Sequence, residues 1–86
     1  MENYTGRSVV SVAGHDKGSV LCVIGTDGEF LLLADGRHRK VQAPKRKKLK
    51  HVVFIEDAAI YGGPLTNKAL RVHLRTVNRP EGQVST

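Results

Sequence analysis

Valine and leucine recur along the chain in short runs cut by glycine. SVVSVAG, GSVLCVIG and EFLLLADG fill residues 8–14, 18–25 and 29–36, and the shorter KVQA and HVVFI follow at 40–43 and 51–55. The breaks GHDKG, TDG and DG supply the glycines that tight turns need for positive φ. This spacing predicts five short strands, in a small all-β barrel or sandwich rather than a βαβ unit. Pro44 cannot donate to a ladder and is assigned to the loop before the last strand. Val10 and Val12 can share one strand face, as can Val20, Cys22 and Ile24. Phe30, Leu32 and Ala34 share another, leaving Leu31 and Leu33 on the reverse side. A strand apolar on both sides implies something packed outside the barrel.

After Glu56 the period changes. EDAAIYGGPL reads as a junction, and TNKALRVHLRTVNRP as a helix from a Thr66 cap to Asn78, with Pro80 as the stop. At 100° per residue Leu70, Leu74 and Val77 fall within about 60° of one another, a narrow apolar stripe. Lys68, Arg71, Arg75 and Arg79 gather within about 80° on the other side. EGQVST is expected to be disordered. The chain thus divides into a β-domain over residues 1–57 and a junction, basic helix and tail over 58–86.

Charge adds a partner to this picture. Formal net charge is +6, and residues 37–50 carry eight of the fourteen Lys and Arg. Outside that segment six basic residues face eight acidic ones, so the basic character is local. Local positive charge points to a polyanion. A flexible linker would not be interrupted by Val41, Pro44 and Leu49 before resolving into HVVFI. The start MENYTGRSVV lacks a cationic segment followed by an apolar run, and the longest apolar stretch, FLLLA, is too short for a bilayer. One cysteine forms no intramolecular disulfide, so a reducing, cytoplasmic setting is expected. A polybasic membrane binder would need a lipidation signal or inserted aromatics, and neither is evident.

The ordered set AGHDKG, LLLADGRHRKV and PKRKKLKHV resembles the KOW family of ribosomal proteins and transcription elongation factors. It is similar in particular to the small stand-alone KOW-domain RNA-binding proteins of bacteria. The resemblance covers residues 6–54. It implies an SH3-like five-strand barrel, here followed by a C-terminal helix, that binds RNA, most often ribosomal RNA. Gly14, Asp16, Lys17 and Gly18 match the motif's hairpin turn, with Gly18 at the position kept for backbone geometry. Arg37, Arg39 and Lys40 match the basic segment after the Asp-Gly turn, and residues 45–50 match the next basic stretch.

The residues support phosphate chemistry independently. Arg37 and Arg39 would alternate on an extended chain, both guanidinium groups on one side, where arginine suits bidentate phosphate contacts. Lys45, Arg46, Lys47, Lys48 and Lys50 would form a loop that follows an irregular RNA surface. In GHDKG, Gly14 and Gly18 provide turn geometry, Asp16 can cap a backbone amide, and His15 and Lys17 reach outward. Lys68, Arg71 and Arg75 add a helical stripe. Two Phe, two Tyr and no Trp argue for phosphate and shape recognition over base stacking.

Catalysis finds little footing. Cys22 lies mid-strand, and the histidines His15, His38, His51 and His73 lack zinc-ligand spacing. Glu56 and Asp57 read as a strand end. No nucleotide-binding fingerprint is present. No enzyme, metal or cofactor is expected. The alternative to RNA binding is a protein-interaction module that docks on ribosomal or transcription machinery through the barrel and the Leu70, Leu74, Val77 stripe.

Overall fold

The structure, a computed structural model, describes residues 4–78. Strands β1 (Ser8–Ser11), β2 (Val20–Asp27), β3 (Phe30–Ala34), β4 (Lys45–Lys48) and β5 (Val52–Phe54) are followed by one helix, α1 (Asn67–Arg75). All strand pairings are antiparallel, in one sheet of order β4-β3-β2-β1-β5. The five strands and the C-terminal helix expected from the sequence are present, consistent with a small SH3-like barrel.

The sheet must curl. Laid flat, the four gaps between β4 and β5 would span about 19 Å at ~4.8 Å each. The chain has only four residue steps from Lys48 to Val52, about 14 Å at full extension. In fact those residues form a tight 3-10 turn, Leu49–His51, which shortens the reach further. A bulge supplies part of the bend: the β2–β3 register shifts between Val23 and Gly25, leaving Ile24 as the extra residue. The same hairpin closes on Gly28 and Glu29, with Gly28 at φ +61° as a two-residue loop requires.

Curling encloses Val9, Leu21, Val23, Leu31, Leu33 and Val52, with Tyr4 and Phe54 packed against them. Helix α1 covers the other face. Leu70 is fully buried on Cys22 and Ala34, and Ile24, Val41, Tyr61 and Leu74 close around them. The expected burial of β3 on both sides is therefore found, with Leu31 and Leu33 facing the interior and Ala34 facing the helix. Replacing a leucine so enclosed with alanine costs about 2–5 kcal/mol, so α1 belongs to the same globule as the sheet.

Three expectations need correction. The fourth strand is Lys45–Lys48, and residues 41–43 form a turn instead. The basic stretch 45–48 is thus a sheet edge and not a loop. Arg37 and Arg39 do not alternate on an extended chain. Asp35 Oδ1 accepts from both backbone amides, 2.8 Å each, and Asp35 N and Gly36 N return bonds to the Arg39 carbonyl, so the segment is tightly bent. Finally, α1 stops at Arg75 with Thr76 as its C-cap, three residues before Asn78. Its start is as expected: Thr66 Oγ1 accepts from Ala69 N at 3.1 Å. Arg79 and the EGQVST tail lie outside the described residues.

Candidate nucleic-acid interface

In the densest run of charge, two of five cations meet acidic groups and a third is turned inward. Along β4 alternate side chains point to opposite faces. Lys47 turns inward and is 8% exposed, its alkyl stem buried and its Nζ donating to the Ala13 carbonyl at 3.0 Å. Arg46 and Lys48 turn outward, both against the Phe30 ring. Arg46 lies 4.9 Å from the ring centroid and pairs with Asp27 at 3.0 Å, and Lys48 lies 5.9 Å from it and 4.0 Å from Glu29. The β2–β3 hairpin thus brings two acidic groups against two of the strand's cations.

Other predicted contacts hold the fold together. Gly14 and Gly18 both have positive φ, as their turn role requires, around the 3-10 turn Gly14–Asp16. Asp16 does not cap an amide with its side chain; its carboxylate grips the Arg39 guanidinium through three contacts of 3.1–3.2 Å. This part-buried clasp joins the GHDKG turn to the loop after the Asp-Gly turn, so Arg39 is a strut. Arg71 is another: its Nη1 donates to the Gly36 carbonyl at 2.8 Å.

Gly36 sits where loop and helix meet. Its φ is +78°, and a Cβ there would overlap the Asn67 carbonyl, so the residue is fixed by backbone conformation and by space together. Asn67 completes the joint, its Oδ1 accepting from Val41 N at 2.8 Å and its Nδ2 donating to Gln42 Oε1 at 3.0 Å. Neither Asn67 nor Asp35 stood out in the sequence. The Asp-Gly turn was the one available signal for Asp35, and Asn67 carried none beyond its place beside the helix cap.

Seven cations remain whose side chains make no hydrogen bond or ion pair among the described residues: Lys17, Arg37, Lys40, Lys45, Lys50, Lys68 and Arg75. His15 and Lys17 are exposed at the turn tip, as expected. Arg37 and Arg75, separated widely in sequence, line one open groove of about 540 Å³ together with His38 and Arg71. Val20, Leu74 and Val77 also line it. Lys68 instead borders a separate apolar depression beside Tyr61 and Val72.

Leu70 is buried against the sheet and Leu74 packs partly on it, while Leu74 and Val77 also border the groove, so the apolar stripe is only partly covered within the molecule. The exposed large apolar side chains Leu49, Ile60, Leu65 and Val72 lie elsewhere on the surface. Cys22 is fully buried under α1, and burial pushes its thiol up to about 11. Among the described residues no three His, Cys, Asp or Glu side chains are placed to hold a metal ion, and no helix is long and apolar enough to cross a membrane. No protein-family model matches the chain, and the search of curated proteins returned no match. The likeness to KOW proteins therefore rests on the quoted residues.

Proposed function

We propose that the protein binds folded RNA through its phosphate backbone, using the face made by the 35–40 loop and the last turns of α1. The observation that carries this reading is the meeting of Arg37, Arg71 and Arg75 around one groove, while Arg46 and Lys48 are paired with acids. Guanidinium groups suit phosphates because each presents a planar fork of donors, and Arg71 is already held in place by the Gly36 carbonyl. Lys40, Lys45 and Lys50 extend the unpaired charge along the chain beyond the groove. The resemblance to KOW proteins points to ribosomal RNA as the class, and to a ribosome-associated or assembly role.

Titrating a labelled ribosomal RNA fragment at several salt concentrations tests the reading. Neutralisation of about five phosphates gives a log–log slope of roughly −3.5 to −4.5. Affinity that does not respond to salt would overturn it. The docking alternative predicts the opposite sensitivity: loss of a protein partner on Leu74→Glu, with the basic residues dispensable.

A further inference from the structure

The groove holds a group that phosphate binding alone does not use. Asp35 lines it beside the arginines, where a carboxylate repels a phosphate. Its two oxygens differ. Oδ1 is occupied by the backbone amides of Arg37 and Arg39. Oδ2 lies 3.8 Å from His38 Nδ1, within ion-pairing reach but beyond hydrogen-bond range, and accepts no hydrogen bond among the described residues. The Asp35 side chain is 15% exposed and its Oδ2 is not sealed from solvent, so this oxygen can take a donor from a ligand in the groove.

Three chemistries therefore share one groove: cations, an apolar wall from Leu74 and Val77, and a single strong acceptor. A nucleotide offers the complement of all three, as phosphate, base face and base edge. The volume of about 540 Å³ lies within the ~300–1,000 Å³ of small-ligand sites. Folded RNAs present such units where a bulge or loop lets one base leave the stack.

We propose that this groove receives a single nucleotide extruded from a folded RNA. Its phosphate meets Arg37 and Arg75, its base lies on Leu74 and Val77, and an exocyclic amino group donates to Asp35 Oδ2. The proposal rests on the RNA-binding reading above and adds a preference to it. Adenine, cytosine and guanine carry an amino group. Uracil offers only N3–H, flanked by two carbonyls that would be pressed against the carboxylate, so uracil is disfavoured. A site whose acceptor faces the ligand discriminates against one that cannot satisfy it.

The test uses the full chain and five RNA hairpins alike except for a single-nucleotide bulge of A, C, G or U, or no bulge, with Kd read by fluorescence anisotropy. The three amino-bearing bulges should bind about tenfold tighter than the uracil bulge or the paired hairpin, a difference worth ~1.4 kcal/mol. Asp35→Asn keeps an Oδ1 acceptor for the two backbone amides and turns Oδ2 into a donor, and it should reverse the order in favour of uracil. A second readout needs no variant: 2-aminopurine at the bulge should brighten several-fold on binding as it leaves the stack. Equal affinity for all five hairpins, or an unchanged 2-aminopurine signal, would overturn the nucleotide site while leaving RNA binding intact. Binding to none of the five would overturn the RNA reading itself. Adenosine monophosphate competing as tightly as the adenine-bulged hairpin would overturn RNA as the source of the nucleotide.

Discussion

The edge strand Lys45–Lys48 and the groove between loop and helix both look basic in sequence, yet they hold their charge in different ways. The strand concentrates four cations in four residues; one is turned inward, and two are matched by Asp27 and Glu29. In the groove, Arg37 and Arg75 come from distant parts of the chain, and their side chains are unpaired among the described residues. Charge density along a sequence is thus a poor guide to charge available to a ligand, because folding decides which cations meet acids. The strand's lysines have a further use: charge on an exposed edge discourages pairing with another chain.

The largest effect that would break this comparison comes from the joint beneath the groove. Gly36→Ala forces a side chain into a positive-φ position and against the Asn67 carbonyl. It should lower stability by about 2–3 kcal/mol in a denaturant titration. Because Cys22 lies under α1, the same variant should speed its alkylation at pH 8. In the native protein that thiol, with its pKa pushed up to about 11, should react only upon unfolding.

Next comes Lys47→Met, which removes the ammonium that donates to the Ala13 carbonyl, an oxygen that Ser11 Oγ also bonds. The expected loss is about 1.5–3 kcal/mol of stability, with no change in the salt slope of RNA binding. A fall in slope would mean that Lys47 leaves its internal partner to meet phosphate.

Neutralising the groove with Arg37→Gln and Arg75→Gln should weaken RNA binding about tenfold and reduce the salt slope by about two units, one per lost phosphate contact. The smallest effect belongs to Arg46→Gln with Lys48→Gln. These remove as much charge as the groove pair but should shift Kd less than about twofold, since Asp27 and Glu29 already balance the two cations. Measured side by side, the two double variants sharpen the contrast without altering net charge between them.

The fold was legible where burial imposes alternation. The valine and leucine strands and the glycines between them follow from one face meeting the interior, and Thr66 marked the helix start by its own side chain. The fourth strand was misplaced because Lys47 fills an inward position that a sequence reading reserves for an apolar residue. Val41, meanwhile, packs against the helix-side cluster from a turn. The helix ended early because Thr76 caps it at the His73 carbonyl, and the apolar stripe alone continues past that point. The groove itself was not legible. Arg37, Arg71 and Arg75 were each singled out, but the joint that brings loop and helix together, Gly36 against Asn67 with the Arg71–Gly36 and Asn67–Val41 bonds, was not. Arg39 resembled its neighbours until Asp16, far away in sequence, claimed it.

The central claim is that RNA meets the groove and not the edge strand. Ultraviolet crosslinking in the protein's own cells, followed by mass spectrometry of the nucleotide-bearing peptides and sequencing of the attached RNA, tests it most directly. The account predicts adducts on residues 35–40 and 71–78, joined to a defined ribosomal RNA region and lost in the Arg37→Gln, Arg75→Gln variant. Adducts confined to residues 45–50 and indifferent to that variant would contradict it.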